Sequence, residues 1–230
     1  MEDKKRLLDI ISLIDKNKKV IDIGTDHGLV PLYLAKNGIS ENILATDISE
    51  KSLDKLRMRL DDNLRQIITT KVTDGFVGIE KQDKQVAIIA GMGANTIIDI
   101  IEKSLDFAKN LDYLVLASNV NTEKLRTYLV DNNFEIIKDF LSYENNKYYD
   151  ILKVRFGNAK KLTLAETYYG KDDINTKAAL LVEKLAIDYK KNQEFRKDIL
   201  NKSNDLKSLS RIDEKLKAIE EIRNIWKLEN

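Results

Sequence analysis

KKVIDIGTDHG, residues 18–28, is a β-branched run that breaks into a loop of glycines and acids, and Pro31 and Gly38 then bracket a helical stretch. A strand that delivers its end to a glycine loop and then a helix is the opening unit of a doubly wound parallel sheet. The pattern continues outward. ENILATD (41–47), IITTKVTDG (67–75), QVAIIAG (85–91) and DYLVLAS (112–118) read as further strands, the fourth apolar enough to be buried on both faces. Between them lie a helix capped by Ser49 with Leu53, Leu56 and Leu60 on one face, a helix over 95–109, and a helix over Thr122–Val130. Phe134–Ser142 and Lys147–Phe156 read as an antiparallel pair joined by the turn-forming Glu144, Asn145 and Asn146.

Beyond Gly157 the strand-like runs stop. Ile174, Ala178, Leu181 and Leu185, then Leu206, Leu209, Ile212, Leu216, Ile219 and Ile222 fall at helical spacing, which predicts two long helices. Asn201, Ser203 and Asn204 mark a turn between them and make the pair an antiparallel hairpin. The expected organisation is an α/β domain over residues 1–158 and a helical domain over 159–230.

Composition narrows the chemistry. The 230 residues carry 39 Lys and Arg against 38 Asp and Glu, so any polyanion site must be a local patch and not a bulk charge. No Cys and a single His leave no thiolate or His-pair metal site, and no metal is expected. The longest apolar run, around 86–94, is too short to span a bilayer, and the mixed-charge N-terminus is unlike a secretory signal. The expectation is a cytoplasmic protein with no membrane partner.

DIGTDHG (22–28) is not a dinucleotide fingerprint, because that needs G-x-G-x-x-G and a pyrophosphate here would face acids. Acid-x-Gly-x-x-x-Gly suits a ligand end that carries an ammonium and a carboxylate, as the methionine part of S-adenosylmethionine does. Asp22 or Asp26 could meet the ammonium, and loop N–H groups the carboxylate. Asp47, at the end of the second strand, stands where an acid accepts from ribose hydroxyls. Asp74, followed by Gly75, stands where an adenine amine would donate. Each of these acids also has a plain reading as a turn starter or helix cap.

AGMGANT (90–96) follows the fourth strand. It lacks the (Asp/Asn)-Pro-Pro-aromatic motif that takes the hydrogens of an exocyclic amine, which favours a ring nitrogen as acceptor. Its plain reading is a tight turn with Met92 as core filler. His27 is the single His and the residue type best suited to move protons near neutral pH; a lone His is usually structural, and its place inside the glycine loop makes a functional role an equal alternative.

With those residues in hand, the chain resembles the bacterial tRNA (adenine-22-N1)-methyltransferases, the TrmK family. The resemblance rests on DIGTDHG with Pro31, TDG at 73–75, AGMG at 90–93, Asn119 after the fifth strand, and KYYDILKV at 147–154. It departs at Gly28-Leu29, where the family often has Ala-Tyr, at Ala94, and at Ala117-Ser118. The resemblance implies a Rossmann-like methyltransferase fold with a seven-stranded sheet whose last strand is antiparallel, and a C-terminal coiled-coil-like helical domain that helps hold tRNA. It implies S-adenosylmethionine as donor and N1 of adenine 22 in the tRNA D-arm region as acceptor. The donor residues are then Asp22, Gly24, Thr25, Gly28, Asp47, Ile48, Asp74, Gly75, Ala90, Gly91 and Met92. Asp26, His27 and Asn119 are the acceptor-side candidates, with Asp26 stabilising the charge that develops on the ring. The rival readings are a small-molecule methyltransferase on the same fold and an RNA-binding module with an inactive sheet. Lys190, Lys191, Arg196 and Lys197 are the candidate RNA contacts of the helical tail.

Overall fold

The computed structural model describes residues 4–25, 27–202 and 205–228, so the calls on Asp26, Ser203 and Asn204 lie outside the described residues. By contact the chain divides into two compact units, Met1–Lys138 with Ser142–Lys160, and Asp139–Leu141 with Lys161–Asn230.

The first unit carries the sheet. Its elements run α1 (Lys5–Ser12), β1 (Lys19–Ile23), α2 (Leu29–Lys36), β2 (Ile43–Asp47), α3 (Glu50–Arg57), α4 (Asp62–Ile67), β3 (Ile68–Val72), β4 (Gln85–Ala90), α5 (Ala94–Lys103), α6 (Leu105–Lys109), β5 (Tyr113–Ser118), α7 (Thr122–Asp131), β6 (Phe134–Glu144) and β7 (Lys147–Phe156). The seven strands stand in the order β3-β2-β1-β4-β5-β7-β6. β1 pairs in parallel with β2 and β4, β2 with β3, and β4 with β5, while β7 is antiparallel to β5. The sheet is therefore Rossmann-like, with its topological switch between β1 and β4.

Apolar burial peaks at the middle of the sheet. Val86 to Ile89 of β4 and Leu114 to Ala117 of β5 are fully buried, as strands covered on both faces must be. Ser49 caps α3 as expected, its Oγ accepting from the Ser52 N–H at 3.4 Å, and Leu53 and Leu56 are buried beneath. Arg126 of α7 is fully buried and its Nη2 donates to Asp150 of β7 at 2.6 Å.

Three local expectations are corrected. The third strand is only Ile68–Val72, because Asp61 accepts from the Leu64 N–H at 2.8 Å and starts the short helix α4 just before it. The helix expected over 95–109 is two, α5 and α6, since Ser104 leaves the helical region at φ −139°. The tail holds two short helices ahead of the long pair.

The second unit contains α8 (Leu164–Tyr169), α9 (Lys171–Thr176), α10 (Ala179–Lys202) and α11 (Leu206–Leu228). Thr163 and Glu166 form a capping box that starts α8. The ion pairs Asp188–Lys215 and Arg196–Asp213 match rising with falling numbers, so α10 and α11 are antiparallel. Tyr169, Ile174, Leu181, Leu185, Ala218, Ile219 and Ile222 make the core of this unit. Beside it the Asp188 carboxylate accepts from Tyr169, Lys184 and Lys215 at 3.0–3.2 Å. Burial opposes its charge, but the two ammonium groups outweigh burial and hold its pKa below the ordinary range.

Candidate methyl-donor cleft

A cavity of about 360 Å³ opens at the switch point, over the carboxyl ends of β1 and β4. Asp22, Gly24 and His27 line it from the first loop, and Ala90, Gly91 and Met92 from the second. The sheet register explains the meeting: Asp22 pairs with Ile88 and Ile23 with Ile89, so both loops leave the sheet side by side.

Asp22 is only 5% exposed. Its carboxylate accepts from the Thr25 hydroxyl. Burial pushes its pKa up to about 6, the Thr25 hydrogen bond pulls the other way, and the nearby Asp47 charge adds to the rise. A buried carboxylate with a raised pKa at a cavity wall marks Asp22 as a candidate functional group.

The glycines of the two loops do different things. Gly28 sits at φ +64°, and a Cβ there would lie 2.3 Å from Cδ1 of Leu56, so close packing of the loop on α3 requires glycine. Gly91 is at φ +79° with no atom within 4 Å of a would-be Cβ, which leaves open space above the second loop. His27 is exposed at φ +57°, an uncommon backbone for a residue with a side chain, and its carbonyl accepts from Arg59.

The other sequence-selected residues stand along the same sheet edge but do not line this cavity. Asp47 ends β2, where its carbonyl accepts from the Thr73 N–H at 3.0 Å. One of its carboxylate oxygens accepts from the Ser49 N–H at 2.8 Å, so its turn-forming reading holds and one oxygen is committed to it. Ile48 beside it is 75% exposed, an apolar shelf facing solvent. Asp74 is exposed and its carboxylate is 2.6 Å from Lys103 of α5, so an adenine amine there would share it with a cation. Thr25, Gly28 and Gly75 are buried in the loops, and Asn119 is exposed immediately after β5.

Sequence reading missed the far wall. Lys4 just ahead of the first helix, Arg6, Leu7 and Ile10 on it, and Glu144 from the end of β6 also line the cavity, with Leu29 and Val30 of α2. Among the described residues no group of three or more His, Cys, Asp or Glu is placed to hold a metal ion, and no helix is long and apolar enough to cross a membrane.

Comparison with known proteins agrees with the fold. A family model described as a methyltransferase domain matches residues 3–152. The tRNA (adenine(22)-N(1))-methyltransferase of Bacillus subtilis is 26% identical over 155 residues, an alignment covering 67% of this chain and 65% of that protein. Mycoplasma genitalium MG248, provisionally named a tRNA methyltransferase, is 30% identical over 76% of this chain and 80% of its own length. Among solved structures, Streptococcus pneumoniae Sp1610, provisionally described as a tRNA (m1A22) methyltransferase, superposes with a TM-score of 0.86 at 26% identity, over 95% of this chain and 98% of that one. On these grounds the chain belongs to the methyltransferase-domain family and, within it, to the TrmK family.

Proposed function

We propose that the protein transfers a methyl group from S-adenosylmethionine to N1 of adenine 22 in the D-arm region of tRNA, in the cytoplasm. The observation that carries this reading is the cavity at the switch point with the buried Asp22 on its wall, in a chain of the TrmK family. The residues fit that donor on two counts. Asp22 offers a carboxylate for an ammonium, and the space above Gly91 admits a ligand where any side chain would intrude.

When bound, the donor supplies an electrophilic methyl group on a sulfonium. The chain's own residues then have to hold, align and exclude. Asp22 receives the ammonium, Gly24, Thr25 and Gly28 shape the loop beneath it, and Asp47 accepts from the ribose with its remaining oxygen. Ile48 covers one face of the donor's adenine, while Asp74 and Gly75 border its edge. Ala90, Gly91 and Met92 separate the donor from the acceptor side.

Adenine N1 carries its own lone pair, so no strong base is needed and alignment is the main task. N1 lies on the pairing edge, so the target base must leave its stack and pair before it can react. His27, at the cavity, and Asn119, at the end of β5, are the residues suited to position it. The net charge of +1 means that tRNA attraction rests on local clusters. Lys190, Lys191, Arg196 and Lys197, all exposed on α10, form one, although Arg196 is already paired with Asp213 at 2.7 Å.

The test is methyl transfer from labelled donor to tRNA transcripts that differ at one position. A transcript with adenine 22 is expected to be methylated. One with guanine 22, and one with 1-deazaadenine 22, which lacks the nucleophilic nitrogen, are expected to be inert. Equal labelling of all three would reject the proposed position.

A further inference from the structure

The β6–β7 hairpin closes in two residues, Asn145 and Asn146, both at positive φ (+51° and +59°), as a tight hairpin turn requires. A two-residue loop sets Tyr143 opposite Tyr148, and their ring centres lie 4.8 Å apart with the planes tilted by 52°. The Tyr143 hydroxyl donates to Oδ1 of Asn146 at 3.2 Å, which ties that ring to the turn. Of the ring pairs Phe76–Phe107, Phe134–Phe156 and Tyr143–Tyr148, only the last has no buried member, and Tyr143 is 37% exposed.

Side chains alternate between the faces of a strand, so the end of this hairpin has two sides. Glu144 lines the cavity, and Arg6 of α1 lies 3.4 Å from its carboxylate and 4.5 Å from the centre of the Tyr149 ring. Tyr143 and Tyr148, one position away, take the other side, from which Asp150 meets Arg126 of α7. Ser118 at the end of β5 pairs with Asp150, so the chain that follows, through Asn119 and Val120, runs out beside Tyr149 and Tyr148. Val120 is 51% exposed, and its carbonyl accepts from the Ala94 N–H at 3.1 Å, which fastens it to the loop of Gly91, Met92 and Gly93.

An exposed surface therefore runs from the open space above Gly91, across Val120, to the tyrosine pair, over two strand spacings or about 10 Å. Its charges do not oppose a polyanion: the Glu144 carboxylate is offset by Arg6, Asn145 and Asn146 are neutral, and Lys147 is exposed. We propose that Tyr143 and Tyr148, with Val120 beside them, form a stacking platform for an unpaired RNA base next to the adenine that is methylated. The proposal rests on the reading of RNA as the acceptor. An adenine that leaves its stack strips its neighbours of a stacking partner, and aromatic rings replace that partner without regard to sequence. Hairpin stability accounts for the contact between the two rings, while the platform accounts for their exposure and their place at the carboxyl edge of the sheet.

The experiment is steady-state methyl transfer by the full chain to a tRNA transcript with adenine 22 and to transcripts carrying an abasic residue at position 21 or 23. Tyr143→Leu with Tyr148→Leu should raise KM for tRNA about five- to a hundredfold, the range of lost base–aromatic stacking. Calorimetric affinity for S-adenosylmethionine should stay at the wild-type value, and the salt dependence of KM should not change, since no ionic contact is removed. Tyr143→Phe with Tyr148→Phe, which keeps both rings, should behave as wild type. One abasic transcript should raise KM for wild type by a similar factor and raise it no further for the leucine variant. A folded leucine variant with wild-type KM, even one with a lowered melting temperature, would overturn the proposal and leave the pair a hairpin brace. So would full additivity of the leucine changes with both abasic residues. Should circular dichroism show the leucine variant misfolded, wild type decides: an unchanged KM for both abasic transcripts overturns the platform. Failure of wild type to methylate the intact transcript would instead reject RNA as the acceptor.

Discussion

Asp22→Asn should stabilise the unliganded protein and weaken donor binding at the same time. The Asp22 carboxyl is raised from 3.8 to about 6, mainly by burial. A raised carboxyl favours folding while protonated, and that contribution is fully present below pH 3.8 and lost as pH rises through about 6. At about 1.4 kcal/mol per unit, the buried charge therefore costs about 3 kcal/mol at pH 7 and roughly half of that at pH 5. Asn keeps the acceptor for the Thr25 hydroxyl and removes the charge. Urea unfolding should place Asp22→Asn above wild type by up to ~3 kcal/mol at pH 7, with the gap narrowing toward pH 5. Donor affinity should move the other way, falling about ten- to a hundredfold with the loss of a charge-assisted contact. Wild-type affinity should itself decline as pH falls through about 6, because a protonated Asp22 no longer attracts an ammonium. A variant less stable than wild type at pH 7, or a gap that does not change with pH, would refute this account of Asp22.

Asp47→Ala should reduce affinity for S-adenosylmethionine by about tenfold or more in calorimetry, since the ribose hydroxyls lose an ionised acceptor; wild-type affinity would remove Asp47 from the site. Arg126→Met should destabilise the protein by about 3–5 kcal/mol in urea unfolding, because it strands the buried Asp150 charge, and adding Asp150→Leu should restore much of the loss. A small effect of the single change would mean that solvent reaches the pair. Lys190→Glu, Lys191→Glu and Lys197→Glu together should weaken tRNA binding and flatten its salt dependence while donor affinity stays unchanged. An unaltered salt titration would move the RNA surface away from α10.

The alternation of strand and helix was legible because each central strand is a short β-branched run and each main helix shows an apolar face. What escaped was small or split. α4 buries only Leu64 among its six residues, which is too little to give a period. α8 and α9 are six residues each, yet Thr163 and Glu166 spell a capping box that the sequence does display. The glycine loop was legible because strand, acid and glycine lie together in the chain. The opposite wall was not, since Arg6 and Glu144 meet only through the fold. A physical signal for half of it exists. α1 has eight residues, about 12 Å, and β1 has five, about 16 Å, so a helix that turns back into β1 starts near the end of that strand. Glu144 needed the further knowledge that β7 runs antiparallel to β5, which brings the β6–β7 turn to the carboxyl edge of the sheet.

The most direct measurement is mass spectrometry of a tRNA transcript containing adenine 22, digested after incubation with the purified chain and S-adenosylmethionine. The account predicts 1-methyladenosine confined to the nuclease fragment that contains position 22, and none when the donor is omitted. Unmodified tRNA, or a methyl group on another base or on another nitrogen of that adenine, would contradict it.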